Sequence, residues 1–307
     1  NNFMSLFKNK KYIFDGGMGQ NLIDRGMISQ GTLWSATALV DETLNKLVLD
    51  SHLDYISAGA EIIVTSNFKV RKNTFSENRI NHKFDLANKR AGEIAFEAKK
   101  ITKKKSNKDI LIAGSIPTRG ITYQPHQLYD EKLIYEEFFQ VAKELNPYID
   151  FFYLDVLCSS EEIVTALSAL KNFNKTTLLG LHFKKDFLLP SGESVDQISK
   201  AIKNFDCAGL MTSCVSPEIY LGVLPKLKTQ KLSYGFAINA FVNIPDKIEL
   251  NKDYSLQPNN FLGLRDDITP KKYAKIAKDA YNNGAKFLKG CCNITPAHIE
   301  QLSKSMQ

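Results

Sequence analysis

The stretch KFLKGCCNITPAHI, residues 286–299, combines the signals of one complete structural unit. Lys286 to Leu288 predicts a short strand, which leads directly into Gly290-Cys291-Cys292. Pro296 opens a helix, a position that suits proline because the N–H it lacks would have no partner in the first turn. A strand followed at once by a helix is the repeating unit of parallel α/β sheets. The stretch therefore predicts the last strand–helix unit of an α/β fold, with two cysteines at the turn.

The same alternation recurs through the rest of the chain. Short apolar runs predict seven further strands, at 12–14, 61–64, 109–113, 151–154, 176–181, 208–211 and 232–238. Helical spacing of apolar residues predicts helices at 42–56, 84–100, 131–145, 161–170, 194–204, 217–227 and 270–281. Eight such units in 307 residues predict an α/β fold of the closed (β/α)₈ TIM barrel type. An open doubly wound sheet is the competitor, but no G-x-G-x-x-G follows the first strand.

The chain shows no change of composition that would divide it into domains. We therefore predict one barrel domain over residues 1–307, with residues 1–11 as an N-terminal extension. The longest segment without a clear element, residues 239–269, is predicted to be a loop after the seventh strand. Loops of that length in compact domains are usually functional.

Composition limits the classes of partner. The net charge of +7 comes from 40 basic and 33 acidic side chains, and the densest lysine run, residues 99–108, has no interleaved aromatic residues. That pattern favours a solvated helix end over a nucleic-acid site. No run of 18 apolar residues exists that could cross a membrane. Five cysteines, an odd number, favour a metal site in a reducing compartment, so we expect a cytoplasmic protein. Nothing in the sequence indicates the oligomeric state.

Polar residues and thiols follow the predicted strands at the end where barrel enzymes carry their active sites. They come from the first, second, fourth, sixth and eighth strands. The candidates are Asp15, Gly16, Gly17, Thr65, Ser66, Asp155, Cys214, Cys291 and Cys292. If the barrel closes, these residues meet on one rim although they are distant in sequence.

Three cysteines in that position suit Zn²⁺. Thiolates are soft ligands, zinc prefers four ligands in a tetrahedron, and three protein ligands leave one position open, as in catalytic sites. A substrate thiol in the open position would lose its proton and become a nucleophile for an electrophilic methyl group. We therefore predict that Cys214, Cys291 and Cys292 hold zinc and act in catalysis through it. The alternative is that the Cys-Cys pair is simply buried, since free cysteine behaves as a small apolar residue.

Several segments also resemble the homocysteine S-methyltransferase family. The match includes residues 14–19 (FDGGMG) with 33–36 (LWSA), residues 58–63 (AGAEII), Cys214 followed by Ser216-Pro217, and the closing residues 290–299. Together these segments extend from about residue 13 to residue 300. The resemblance implies a (β/α)₈ barrel whose zinc is held by one cysteine after the sixth strand and a Cys-Cys pair after the eighth. It implies methyl transfer to homocysteine, giving methionine.

The resemblance also assigns roles to residues that bind small molecules. Asp15, with the Gly16 and Gly17 backbone, would hold the amino acid part of homocysteine, and Asp155 would bind its ammonium group. Thr65 and Ser66 match the family's segment after the second strand loosely and are also predicted to bind substrate. The donor would be a small cation, a sulfonium such as S-methylmethionine or S-adenosylmethionine, or a betaine. Four aromatic residues could line its site, since aromatic faces bind such cations: Trp34, Phe68, Tyr123 and Tyr153.

Three residues depart from the family pattern around the cysteines. Lys289 stands where a glycine is usual, Ser213 where asparagine is usual, and Asp155 where glutamate is usual. Two alternatives to homocysteine methylation therefore remain open. One is the same zinc–thiolate chemistry on a different acceptor thiol, and the other is a non-catalytic zinc-binding or thiol-sensing protein. A fourth protein ligand, such as Cys158 or a histidine, would favour the second, because closed zinc sites are structural.

Overall fold

The computed structural model describes residues 6–126, 129–245 and 262–307, and this part of the chain contains eight strands. All pair in parallel with their neighbours. They are β1 (Tyr12–Ile13), β2 (Ile62–Val64), β3 (Leu111–Pro117), β4 (Phe151–Leu157), β5 (Thr177–Leu181), β6 (Cys207–Val215), β7 (Ser233–Ile238) and β8 (Phe287–Gly290).

Eleven α-helices accompany these strands in the described residues. They are α1 (Met18–Asp24), α2 (Thr37–Val40), α3 (Asn45–Ala58), α4 (Lys72–Glu77), α5 (Phe84–Ser106), α6 (Glu131–Leu145), α7 (Ser160–Leu170), α8 (Val195–Ala201), α9 (Pro217–Lys228), α10 (Pro270–Asn282) and α11 (Pro296–Ser305).

The strands form a single sheet that is nearly closed into a barrel. Their order is β1-β8-β7-β6-β5-β4-β3-β2. The last seam, between β1 and β2, is joined by a parallel bridge between Phe14 and Ile62 and by the bond from the Glu61 N–H to the Ile13 carbonyl at 2.7 Å. The predicted single-domain (β/α)₈ TIM barrel is therefore confirmed.

The predicted units all appear, with differences at their ends and in the loops. The predicted helix 42–56 begins as a 3₁₀ turn at Glu42–Leu44 and continues as α3, which ends at Gly59 with φ of 117°. Helix α5 extends to Ser106, six residues beyond the predicted end. The short helices α1, α2 and α4 were not predicted, because four to seven residues are too few for a helical period to stand out.

The barrel interior changes from apolar to polar along each strand. Side chains of a strand alternate between its two faces, so every second residue points into the barrel. On β4 the interior row is Phe151, Tyr153 and then Asp155, and on β8 it is Phe287 and then Lys289. The intervening residues pack outward against the helices. The polar residues at the carboxyl ends thus belong to the same inward rows as the core beneath them.

The predicted N-terminal extension contributes to this core. Phe7 is buried, and its ring meets Tyr12, Phe151 and Phe287 edge to face, with centroid distances of 4.9 to 5.6 Å. Edge-to-face pairs at such distances are favourable contacts between aromatic rings. Phe7, with Leu6 packed against the same cluster, therefore fills the amino-terminal end of the barrel, opposite the rim that carries the cysteines.

The predicted loop 239–269 is described only at its two ends, and residues 246–261 lie outside the described residues. Near those ends Phe241 and Leu264 form an antiparallel bridge, so the two ends of the loop meet. In the part of the chain that the structure describes, none of the helices combines the length and the apolar character needed to span a bilayer.

Candidate active site

One cavity of about 430 Å³ opens at the carboxyl ends of the strands, and it collects every residue predicted for the site. Residues from five strand ends line it: Asp15, Gly16, Gly17, Thr65, Ser66, Asp155, Cys214, Cys291 and Cys292. The four aromatic candidates Trp34, Phe68, Tyr123 and Tyr153 line it as well. The barrel therefore brings together residues that are separated by up to most of the chain length.

The three thiols form one compact cluster. The sulfur atoms of Cys214, Cys291 and Cys292 all lie within 4.8 Å of one another, and 4.0 Å separates those of Cys214 and Cys292. Zinc–sulfur bonds of about 2.3 Å in a tetrahedron require sulfur atoms about 3.8 Å apart. The donor set and its spacing therefore fit a thiolate-bound metal such as zinc. Among the described residues, no fourth cysteine, histidine or carboxylate joins the group.

Local backbone irregularities aim the residues of the rim. The pairing register shifts between Ser213 and Val215 on β6, and Cys214 between them has φ of 56°. The register shifts in the same way on β4, where Val156 has φ of 62°. Bulges re-aim side chains at barrel rims, and non-glycine residues in the left-handed region are costly enough to be concentrated at functional sites. The bulge accounts for the inward direction of the Cys214 thiol.

Cys214 is held by side chains from three neighbouring segments. The Tyr123 hydroxyl lies 3.3 Å from its sulfur, and the Asn239 amide donates to its carbonyl at 2.9 Å. His182 contacts the Ser213 carbonyl through Nδ1 at 3.0 Å and packs against Tyr123. Burial acts to raise the pKa of the Cys214 thiol, but hydrogen bonds from the other two cysteines and from Tyr123 outweigh it and lower the pKa well below its ordinary value. Cys214 is therefore the thiol of the cluster that most readily becomes a thiolate.

Gly16 and Gly17 are needed where the first strand meets the cysteine turn. A Cβ atom on Gly16 would lie 2.5 Å from the Ile294 carbonyl oxygen, and one on Gly17 would lie 2.9 Å from the Cys291 carbonyl oxygen. The Gly17 N–H donates to the Ile294 carbonyl at 2.8 Å, whereas no described residue accepts from the Gly16 N–H. The two glycines permit close approach of this backbone to the turn that carries the Cys-Cys pair.

Asp15 is committed to neighbours inside the protein. Its Oδ1 atom accepts from the Lys289 ammonium at 3.0 Å, and its Oδ2 atom accepts from the Val64 N–H at 2.9 Å. Both side chains of the ion pair are buried. Lys289, which stands where the family usually has glycine, therefore balances the charge of Asp15 within the wall of the cavity.

Asp155 has more freedom than Asp15. It accepts a hydrogen bond from the Ser115 hydroxyl at 2.9 Å, and no ion pair links it to another described residue. Burial raises the pKa of Asp155 to about 6, although the nearby Lys289 charge and the Ser115 hydrogen bond act in the opposite direction. A half-buried carboxylate of this kind can take a cationic group of a ligand.

Thr65 and Ser66 play different parts in the loop after β2. Thr65 is used within the protein, because its hydroxyl donates to the Asn67 side chain at 2.6 Å and accepts from the Ser115 N–H at 2.9 Å. Ser66 lines the cavity, and its buried hydroxyl has no hydrogen-bond partner among the described residues. Ser66 is therefore the better placed of the two to contact a ligand.

The faces of two aromatic candidates already hold cations of the protein. The Lys69 ammonium lies 5.9 Å from the Trp34 ring centroid, and the Arg71 guanidinium lies 4.7 Å from that of Phe68. Lys69 and Arg71 both line the cavity. Sequence reasoning missed them because neither follows a strand directly. The available signal was a pair of basic residues in an otherwise apolar segment, residues 68–71 (FKVR).

The remaining cysteines are separate from the cluster. Cys158 is buried and lies near the carboxyl end of β4, with its thiol against the Val156 carbonyl at 3.7 Å. Cys207 is buried at the start of β6, at the far end of that strand from Cys214. Asn239 is a residue that the sequence did not single out, although it follows β7 directly and therefore lies on the rim.

Comparison with known proteins agrees with this geometry. The family model described as homocysteine S-methyltransferase matches residues 12–306. The chain is 26% identical to the S-methylmethionine–homocysteine S-methyltransferase of Rattus norvegicus, over 95% of this chain and 77% of that protein. It is 22% identical to homocysteine S-methyltransferase 2 of Saccharomyces cerevisiae, over 99% and 97% of the two chains. It is 25% identical to the betaine–homocysteine S-methyltransferase 1 of Xenopus tropicalis, over 96% and 72%.

The fold has a similar counterpart among solved structures. The metallated form of the homocysteine methyltransferase MmuM from Escherichia coli superposes with a TM-score of 0.82 over 99% of this chain and all of that chain, at 19% sequence identity. Such a likeness at low identity concerns the fold. The family model, in contrast, matches nearly the whole sequence, including all three cysteines of the cluster. On that match, this chain belongs to the homocysteine S-methyltransferase family.

Proposed function

We propose that the protein is a zinc-dependent methyltransferase that moves a methyl group from a sulfonium or betaine donor to the sulfur of homocysteine, giving methionine. The observation that carries the proposal is the cluster of three thiols, within 4.8 Å of one another, in the lining of a cavity on the barrel rim. When held by Cys214, Cys291 and Cys292, zinc would supply one open coordination position at which a thiol loses its proton.

The amino acid part of homocysteine has candidate partners beside the cluster. We assign its ammonium group to Asp155, whose carboxylate lacks an ion-pair partner among the described residues. We assign its carboxylate to the Gly16 N–H and the Ser66 hydroxyl, because both residues line the cavity and neither donor has a partner in the described part of the chain. Asp15, paired with Lys289, would act by positioning Gly16 and the strand end.

The transfer balances as a direct displacement. The thiolate sulfur contributes the electron pair of the new S–CH₃ bond, and the pair of the broken bond stays on the donor's sulfur or nitrogen, which becomes neutral. Donor positive charge is thereby lost in the transition state as thiolate negative charge is lost. A cavity with few waters favours such charge-cancelling reactions, since neither charge keeps its full hydration there. The chemistry needs reduced thiols, which fits a cytoplasmic location.

Two alternatives to this function differ in what the structure offers for them. A closed structural zinc site would need a fourth protein ligand, and the described residues offer none within the cluster. The other alternative keeps the chemistry and changes the acceptor, and Lys289 is the observation that favours it. Lys289, paired with Asp15, stands in the cavity wall at a position where the family pattern predicts glycine, so this wall carries a side chain that the pattern lacks.

The test is methyl transfer by the zinc-loaded protein with homocysteine as acceptor. S-methylmethionine, S-adenosylmethionine, glycine betaine and dimethylsulfoniopropionate are offered in parallel, and methionine is followed. Methionine from one donor establishes the reaction and the donor together. No methionine from any of them, with one zinc per chain, would contradict homocysteine methylation and direct the search to other acceptor thiols, with Asp155, Ser213 and Lys289 as the residues to vary.

A further inference from the structure

Lys69 is a basic side chain that lines the cavity without an anionic partner. It lies on the loop between β2 and α4, is half-buried, and places its ammonium over the Trp34 ring. No hydrogen bond or ion pair to Lys69 exists within residues 6–126, 129–245 and 262–307. An ammonium group that is partly removed from water and has no counter-ion is costly, so its place in a ligand cavity indicates that a ligand supplies the counter-charge.

Arg71, two residues further on, is a second cationic group in the same wall. Its side chain donates to the carbonyls of Phe68 and Gly120 and to the Thr122 hydroxyl, and it is 4% exposed. Its Nη2 atom has no partner in the described part of the chain. Arg71 is therefore anchored by neutral acceptors, and its charge is not cancelled by a carboxylate in contact with it.

Neither acidic residue of the cavity forms an ion pair with Lys69. Asp15 is paired with Lys289, and Asp155 accepts from Ser115. Burial, assisted by the charge of Arg71, lowers the pKa of Lys69 to about 7, and the charge of Cys292 only partly opposes this. A carboxylate bound beside Lys69 would restore its full positive charge.

Lys69 and Arg71 give one wall of the cavity a positive charge, and the same cavity contains the thiol cluster at which the proposed methyl transfer takes place. A carboxylate on the donor is attracted to Lys69, whereas a protonated amino group is repelled by it. A donor that carries an onium centre and a carboxylate on a short chain, without a protonated amino group, matches this arrangement.

We propose that Lys69 binds the carboxylate of the methyl donor and that the enzyme therefore selects betaine-type donors, which carry an onium centre and a carboxylate but no protonated amino group. This inference rests on the proposed methyl transfer and narrows its donor class. S-methylmethionine and S-adenosylmethionine, which each carry an additional ammonium group, are then the poorer donors. Lys69 is a residue for donor specificity, and the acceptor is bound by other groups.

The test compares two donors that differ only in the anionic group. Dimethylsulfoniopropionate and its carboxamide share one sulfonium centre, and methionine formation gives kcat/KM for each. We expect the acid to be preferred by about 10- to 100-fold, the range of a hydrogen bond to a charged group. In Lys69→Met the ratio of kcat/KM for the acid to that for the amide should be less than about threefold, and Lys69→Arg should retain part of the preference. Lys72→Met is the matched control, because Lys72 lies over Phe84 and not in the cavity wall, and its preference should equal that of the unaltered protein.

A binding measurement keeps this test independent of turnover. Trp34 is the single tryptophan of the chain, so intrinsic fluorescence reports on the ring beside Lys69. Titration with the acid and the amide should show the same preference and the same loss in Lys69→Met. A Lys69-dependent preference in binding without methionine formation would contradict the proposed methyl transfer, and only the assignment of Lys69 as a carboxylate-binding residue would stand.

Three results would overturn the inference. One is equal kcat/KM for acid and amide in the unaltered protein. Another is a Lys69→Met variant that loses activity with both donors to the same extent. The third is a loss in Lys69→Met that appears only in the KM for homocysteine, since Lys69 would then hold the carboxylate of the acceptor.

Discussion

The two ends of the barrel interior are built from the same rows of side chains and serve opposite purposes. Toward the amino-terminal end the rows carry Phe151 and Phe287, closed below by Phe7. Toward the rim the same rows carry Asp155 and Lys289. Burial of the aromatic rings stabilises the fold, whereas burial of charged groups costs free energy unless partners are supplied. The comparison teaches that one pleated pattern can supply stability at one end of a strand and chemistry at the other. Four predictions test it.

The largest effect is expected from the thiol cluster. Cys291→Ala removes one of three sulfur ligands, so the protein should no longer retain zinc, and methyl transfer should fall by at least about a thousandfold, as for loss of an essential catalytic group. Metal content per chain and initial rates measure this. Cys207→Ala, at the other end of β6, is the control and should keep both. Full activity in metal-free Cys291→Ala would remove the cluster from the mechanism.

The amino-terminal end should show the reverse behaviour. Phe7→Ala deletes a buried ring that contacts three others, and we expect a loss of about 3–5 kcal/mol in the free energy of unfolding. Zinc content and KM values of the remaining folded protein should be unchanged. Denaturant unfolding measures the loss. Phe96→Ala, on the outer face of α5, is the control and should cost far less. Equal losses in the two variants would show that residues 6–11 are not part of the core.

His52, on α3, tests the cost of a buried titratable group near the rim. Burial lowers its pKa to about 4, partly opposed by the charge of Asp15, and neither ring nitrogen has a partner among the described residues. Between pH 6.5, the ordinary pKa of histidine, and pH 4, His52 is protonated in the unfolded chain but stays neutral in the folded protein. The contribution of neutral His52 to the free energy of unfolding should therefore be fully present above pH 6.5, and about 3 kcal/mol of it should be lost as the pH drops to 4.

The matched variants isolate this contribution from that of other groups. His52→Leu should lack this part of the acid dependence, whereas His82→Leu, at an exposed position, should keep it. Urea unfolding at pH 4, 5, 6 and 7 measures the pH dependence of stability for the unaltered protein and for each variant. An identical pH dependence in the protein and in His52→Leu would mean that His52 is protonated in the folded state.

Replacing Asp155 should give the smallest loss of activity among these variants, and it should raise stability and not lower it. Asp155→Asn removes the proposed partner of the homocysteine ammonium, so kcat/KM for homocysteine should fall by about 10- to 100-fold at pH 8 with zinc content unchanged. In the unaltered protein kcat/KM should rise as the pH increases to about 6 and then level off, because the carboxylate must be ionised. The variant should lack this limb.

The stability of Asp155→Asn has a definite sign. The pKa of Asp155 is raised on folding, so the folded protein binds more protons than the unfolded chain between about 3.8 and 6, and stability falls as the pH rises through that window. Asparagine cannot ionise, and the variant should therefore be more stable than the unaltered protein at pH 7. Asp186→Asn, at an exposed position, is the control. An unchanged KM for homocysteine would remove Asp155 from the acceptor site.

Much of this fold was accessible from the sequence because its signals are local. Apolar runs of three to seven residues, helix-opening prolines and the alternation of strand and helix are read from neighbouring residues, and they predicted all eight strands. The short helices α1, α2 and α4 escaped, because tertiary contacts rather than a repeating pattern stabilise them. The nine residues predicted for the site line one cavity for a related reason: each directly follows a predicted strand, or nearly so, and barrels bring strand ends together.

By itself, then, the sequence determined the barrel, the rim and the identity of the three thiols. Only the tertiary structure decided which polar groups remain for a ligand. The sequence predicted that Asp15 binds substrate, but in the structure its carboxylate pairs with Lys289, 274 positions away. The sequence also offered Trp34 as a wall for the donor cation, but in the structure the Lys69 ammonium lies over its ring. Ion pairs and ring contacts depend on distances across the barrel, which no local pattern encodes. The partners of a charged group, and hence its availability to a ligand, are therefore properties of the folded chain.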